Sequence, residues 1–223
     1  MQAVFVDFEM NPIGREHKHI RHICSGEIIE IGAVKLDEEG REVGSFKEYV
    51  RPQYTTAMNA TCQELTGITM DTLAEADHFS VVYQRFLDWC NHTRANDYEI
   101  FAWSESDWRQ LTSELRLKSV DLTQGPVRWM IDHWQNFQQI YCNLLGLDQV
   151  ISLDKAVSTM GESFDGQMHD ALWDARNTSK LYVLSKKRDD FRNVMQPIMD
   201  AMKPAETLTY SLADAFHSAK GRN

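Results

Sequence analysis

The run AVFVDFE near the start of the chain places two carboxylates inside an otherwise apolar, β-rich stretch, and this placement constrains the fold most. Asp7 and Glu9 lie two residues apart, so in a strand both side chains point to the same face. Two like charges on a covered strand are costly without a compensating cation. Oxygen ligands at Asp-x-Glu spacing suit Mg²⁺ or Mn²⁺. An edge strand with both acids solvated is the alternative.

The segments EIIEIGAVKLD and EVGSFKEYV read as two further strands, joined by a turn at Glu39–Gly40 in an antiparallel hairpin. The stretch between the first strand and this hairpin reads as a polar loop carrying His17, His19 and His22. RPQYTTAMNATCQELTGIT reads as loop and short helix. Helical periodicity follows from Ala76 to His92, with Phe79, Val82, Phe86 and Trp89 on one face. EIFAW reads as a buried strand, and Ser104 as the N-cap of a helix carrying Asp107, Leu111 and Leu115. One helix is expected from Val127 to Leu145, then another capped by Ser152 and stopped at Gly161. A long helix begins near His169. Hairpin first, strand–helix alternation afterwards, predicts an α/β fold: a mixed sheet with helices on both faces.

Two more acids stand where they are not expected. Asp174 shares the inward stripe of its helix with Ala171, Thr178 and Leu181, where a carboxylate needs a metal or an arginine such as Arg176. Asp107 lies in the first turn of its helix, where dipole stabilisation alone is a sufficient account. His169, five residues before Asp174, is placed either to cap that helix or to act as a general base.

Length and charge narrow the function class. A chain of 223 residues fits one α/β domain, here residues 1–186, with 187–223 as a helical extension (Phe191, Met195, Ile198, Met202) and tail. A net charge of −10 argues against a broad duplex-binding surface, yet not against gripping a few nucleotides through metal ions. Four scattered cysteines form no CxxC pair, which excludes a zinc-ribbon spacing. The N-terminus carries no basic leader and no stretch reaches ~20 apolar residues, so no membrane association and a cytoplasmic location are expected.

VFVDFEMN, FAWSESDWRQL and HDALWDARNTSKL together resemble, in order and spacing, the three motifs of the DEDDh 3′→5′ exonucleases of the proofreading-exonuclease superfamily. EIIEIGAVKLD, YVRP and ELTGIT are similar to its connecting segments, and the likeness runs from Ala3 to Leu184. Within the superfamily the chain resembles the branch of histone-mRNA 3′-end exonucleases and RNA-interference regulators. The resemblance implies an RNase H-like fold with a mixed five-stranded sheet. It implies two Mg²⁺ (or Mn²⁺) held by Asp7, Glu9, Asp107 and Asp174, with Asp7 bridging, and His169 as general base. A DEDDy enzyme would carry tyrosine at the position of Asp170. The implied activity is stepwise hydrolysis of single-stranded nucleic acid from a free 3′ end, RNA favoured, releasing nucleoside 5′-monophosphates. A single-stranded DNA exonuclease in repair or proofreading, and an inactive binding module, are the competing readings. Phe8, Met10, Leu65, Thr66 and Asn177 are candidate substrate contacts, with core packing the alternative for Met10 and for Leu65–Thr66, and an ordinary helix-surface asparagine the default for Asn177. The extension beyond residue 187 is a candidate surface for a protein partner. The chain departs from the family pattern in lacking a glycine before Asp107, in its histidine-rich loop at residues 15–24, and at Gln167–Met168.

Overall fold

The structure is a computed structural model and describes residues 1–92, 95–160, 163–187, 191 and 195. Five strands form one mixed sheet: β1 (Gln2–Pro12), β2 (Gly26–Leu36), β3 (Glu42–Tyr49), β4 (Tyr98–Ala102) and β5 (Trp134–Asn136), in the order β3-β2-β1-β4-β5. β1 and β2 are antiparallel, as are β2 and β3, while β4 runs parallel to both β1 and β5. The hairpin turns at Gly40, whose φ of 80° is the left-handed geometry that glycine tolerates without penalty.

Alternation along β1 divides the core in two. Val4, Val6 and Phe8 face the cluster built by α4 (Phe79–Asn91), α5 (Glu105–Leu117) and α6 (Gly125–Asp132). Ala3 and Phe5 face the other cluster, with Phe137 and Tyr141 of α7 (Phe137–Leu145), Ala156 of α8 (Leu153–Ser158) and Leu181 of α9 (Ala171–Lys186). Helices thus cover both faces, as the sequence pattern predicts. Phe191 and Met195 are buried in the second cluster; the rest of the expected extension lies outside the described residues, as does Gly161.

Two expectations need correction. The helix expected from Val127 to Leu145 is two helices, α6 and α7, separated by the edge strand β5. Only three residues extend there, pairing Trp134–Asn136 with Ile100–Ala102, and Asn136 then caps α7 through the Gln139 N–H. So short a strand leaves no period-two signature against the helical one around it. The histidine-rich loop is also partly helical: β1 continues to Pro12, and α1 spans Lys18–Ile23. Between β3 and α4 come α2 (Ala60–Thr66) and α3 (Met70–Ala74), both capped by side chains, Asn59 and Thr69.

The position of α9 depends on one glycine. Gly32 sits opposite Asp7 on β2, and a Cβ there would overlap the Ala171–Leu172 peptide. The first turn of α9, and with it Asp174, therefore rests directly on the strand backbone. Gly32→Ala is expected to impose overpacking of about 1–3 kcal/mol, lowering Tm by at least ~2 °C for a domain of this size. Thermal melting checks this, and a wild-type Tm in the variant would remove the close-approach account.

Candidate active site

β1 pairs with β4 only over Gln2–Phe5, so the later part of β1 outlasts its neighbour and opens a crevice. Residues from three distant segments meet there. Asp7 and Glu9 come from β1. Asp107, 4% exposed, comes from the first turn of α5, its carboxylate accepting from the Phe8 N–H at 3.3 Å and the Ser104 hydroxyl at 3.2 Å. Asp174 comes from the first turn of α9, where Ala171, Thr178 and Leu181 are buried beside it. Candidate ligand atoms of Glu9, His169 and Asp174 all lie within 4.8 Å of one another. Arg176, the alternative partner for Asp174, is instead paired with Glu42 at 2.9 Å.

Electrostatically the cluster is strained. Burial pushes the Asp7 carboxyl well above the usual carboxylate range, and Asp107, Asp174, Glu9 and Glu30 add to it. Burial, then Asp174 and Glu30, push Glu9 up to about 8. Asp107 and Asp174 are also raised by burial, against the pull of the backbone N–H groups of Phe8 and His169 respectively. Asp174 Oδ1 is buried with no hydrogen-bond partner among the described residues. An orphaned carboxylate oxygen amid repelling carboxylates is the donor set that hard divalent cations satisfy. The residues therefore fit the metal ions that the sequence implies.

His169 is exposed, and its φ of 61° lies in the left-handed region, uncommon for a residue with a side chain. What holds it is a network that the sequence analysis did not single out. Asp170 caps α9 through the Leu172 and Trp173 N–H groups and is ion-paired with Lys47 of β3. Lys47 also reaches Glu30 at 3.1 Å, and Glu30 accepts from the Ala171 N–H at 3.0 Å. Glu30 is an acid within the otherwise apolar run IIEIG, the same signal that Asp7 gives, and it stands directly across from Glu9.

The candidate substrate contacts divide. Met10 is half-buried at the end of the crevice, and its carbonyl accepts from Cys62 of α2, so α2 lies beside it. Leu65 on α2 is 46% exposed and free to touch a ligand. The Thr66 hydroxyl is engaged within its own segment, donating to the Cys62 carbonyl and accepting from the Ile68 N–H. Phe8 is corrected: the even register of β1 turns its ring into the core against Trp134. Asn177 is corrected too, being fully buried and bonded to the Asp165 backbone through both ends of its amide. It fixes the segment leading to His169 instead of meeting substrate.

Comparison with known proteins agrees with this geometry. The sequence profile of the exonuclease family RNase_T matches residues 4–182. The chain belongs to the exonuclease family. It is similar to human 3′-5′ exoribonuclease 1, 26% identical over 163 residues, covering 70% of this chain and 45% of that protein. Zebrafish ERI1 exoribonuclease 2 is 30% identical over 174 residues, covering 70% of this chain and 30% of that protein. The chain thus spans less than half the length of these two relatives. Among solved structures, the nuclease domain of 3′hExo, a DEDDh family member bound to rAMP, matches with a TM-score of 0.70 at 23% identity, covering 85% and 94% of the two chains. Escherichia coli exonuclease I in complex with a dT13 oligonucleotide matches at 0.62 and 17% identity, covering 84% and 41%. The fold is the RNase H-like fold of DEDDh exonuclease domains, as the resemblance implied.

Family membership and the strained carboxylates give a pH prediction. Glu9 is raised from 4.5 to about 8, so its protonated form favours the folded state fully below pH 4.5, and that contribution is lost as pH rises through about 8. In chelator, Tm is expected to fall between pH 5 and pH 8, at ~2–4 °C per kcal/mol lost. Saturating Mg²⁺ at pH 8 is expected to reverse the fall. Calorimetric scans with and without metal check both; a pH-independent Tm in chelator would contradict the repulsion.

Proposed function

We propose that this chain is a 3′→5′ exonuclease that removes nucleoside 5′-monophosphates from the free 3′ end of single-stranded RNA. The carrying observation is the meeting of Asp7, Glu9, Asp107 and Asp174 in one crevice with His169 over Glu9 and Asp174. The RNA preference is supported by the names of the relatives, which are exoribonucleases.

Asp7, Glu9, Asp107 and Asp174 are the residues that would hold two divalent cations, Mg²⁺ or Mn²⁺. Bound there, the cations supply activation of water and neutralisation of charge on the phosphate and the leaving oxygen. The chain's own groups do the rest. His169, exposed at the mouth, accepts the proton of the attacking water as the new oxygen–phosphorus bond forms and the bond to the 3′ oxygen breaks. The leaving 3′-hydroxyl takes up a proton. Lys47, Glu30 and Asp170 fix the His169 backbone, and Asn177 fixes the segment before it. Met10 and Leu65 flank the crevice and offer apolar surface to the terminal base, a contact worth ~1–3 kcal/mol only when that base is unpaired.

His169 has a second reading as a metal ligand, favoured by its distance from Glu9 and Asp174. The variants separate the two. Alanine at Asp7, Glu9, Asp107 or Asp174 is expected to abolish cleavage nearly completely. His169→Ala is expected to lower the rate by ~10²–10⁴ while calorimetric Mg²⁺ binding persists; loss of binding would make it a ligand. On matched oligonucleotides, single-stranded RNA is expected to be degraded stepwise and faster than DNA, slowing where a stem begins. Rapid cleavage of a circular oligonucleotide would overturn the exonuclease reading, and equal or faster hydrolysis of DNA would overturn the RNA preference.

A further inference from the structure

Most described arginines are committed. Arg41, Arg85, Arg109, Arg128 and Arg176 are each paired with an acid, and Arg51 donates to the Ala74 carbonyl. The guanidinium groups of Arg15 and Arg21 have no hydrogen-bond or ion-pair partner among the described residues. Both line the same cavity of about 410 Å³, together with Ile13, Thr55 and Asn59. Arg116 is unpaired as well, but lies outside that cavity. One acid, Glu16, borders it and faces His17 at 3.8 Å. In a chain of net charge −10, the stretch from Arg15 to Cys24 holds three cations and one acid, counting histidine as neutral.

The opposite wall is rigid by construction. Glu27, 1% exposed, accepts from the Gln53, Tyr54 and Thr55 N–H groups and from the Thr55 hydroxyl. Asn11, fully buried, donates to the Ala57 carbonyl and accepts from the Asn59 N–H. A fully bonded buried carboxylate and a buried amide thus shape an irregular loop at the surface. Buried polar groups dedicated to a loop in this way are the support that a binding surface needs.

The cavity sits at the end of the strand that carries Asp7 and Glu9, with Pro12 and Ile13 in its wall. Ile13 follows Glu9 by four residues, ~13 Å along a strand, and nucleotides in a stacked strand are spaced by ~3.4 Å. We propose that this cavity holds the sugar–phosphate backbone of the strand two to four nucleotides from its 3′ end, with Arg15 and Arg21 each contacting a phosphate. The proposal rests on the reading of the chain as a single-strand exonuclease and names where the strand lies 5′ of the reacting bond. Arginine suits the role because its fork matches phosphate geometry.

The test measures binding without turnover: fluorescence anisotropy of a 5′-labelled, phosphorothioate-linked single-stranded 12-mer in Mg²⁺. The Arg15→Glu/Arg21→Glu double variant is expected to weaken Kd at least tenfold and to reduce the slope of log Kd against log salt by ~1.4, which is two phosphates at ~0.7 each. Arg15→Lys/Arg21→Lys is expected to retain most of the affinity, and Arg116→Glu to stay within twofold of wild type. Melting curves check that the exposed substitutions leave the fold intact. An unchanged Kd in the double glutamate variant, or equal weakening by Arg116→Glu, would overturn the proposal. Competition by an acidic peptide as effective as that by the 12-mer would also overturn it and reassign the cavity to a protein partner. Arginine-dependent binding by a protein that cleaves no natural strand would support this proposal and count against the exonuclease reading, so the two fail separately.

Discussion

Repulsion among buried carboxylates is the constraint around which this molecule is arranged. Asp7, Glu9 and Glu30 share one face of β1 and β2, and Glu9 stands directly opposite Glu30, where like charges destabilise a sheet. Asp107 and Asp174 are brought up to the same crevice from α5 and α9. Part of the repulsion is offset inside the protein: the Phe8 N–H serves Asp107, and Lys47 with the Ala171 N–H serves Glu30. No group among the described residues hydrogen-bonds the buried Asp174 Oδ1. The offset is therefore incomplete, and incomplete in the place where cations with oxygen ligands bring the largest relief.

Several other buried polar groups, by contrast, are bonded and shape the surroundings of the site. Glu27 and Asn11 hold the segment from Gln53 to Asn59. Glu114, pushed up to about 7 by burial, accepts from the Ile28 N–H and from Gln110 beside the irregularity in β1 between Glu9 and Met10. Asn177 ties α9 to Asp165. The first three join a loop or helix to β1 or β2, and Asn177 joins α9 to the segment before His169. An unpaired buried group at any of them would add its own desolvation penalty to a region already destabilised by charge. Among the described carboxylates, the buried oxygen left without a partner is the one in the site, Asp174 Oδ1.

The legible part of the sequence was the part that violates local rules. Asp7 and Glu9 inside VFVDFE, and Asp174 on an apolar stripe, stood out because carboxylates rarely face a core, and the structure brings them together. The first four strands and the helices α4, α5 and α9 followed from periodicity. β5 did not, because three residues, Trp134 to Asn136, take their extended shape from pairing with β4 and not from any pattern of their own. Phe8 and Asn177 were misread for a related reason. Adjacency to a site along the chain does not fix the direction of a side chain: the strand register buries Phe8, and a long-range bond to Asp165 engages Asn177. Lys47 gave no sequence signal, since a lysine on an exposed edge strand is what such strands ordinarily carry.

Charge distribution connects this frame to selectivity for a chain end. On the proposed reading, the acids that would hold metal also make the crevice repel phosphate until cations are bound, which confines attraction to the few ångströms around them. On the outer surface Glu48 and Asp77 together pair with Arg85, Glu105 with Arg109 and Asp132 with Arg128, so these three arginines are already engaged. A strand that merely lies across such a surface gains little. Under the two proposals above, a strand whose end enters the crevice would gain the cations, the apolar flank of Met10 and Leu65, and the arginines Arg15 and Arg21. Because these gains would be available together only to an end that enters the crevice, the proposed preference for termini over interior bonds follows from the same arrangement of groups.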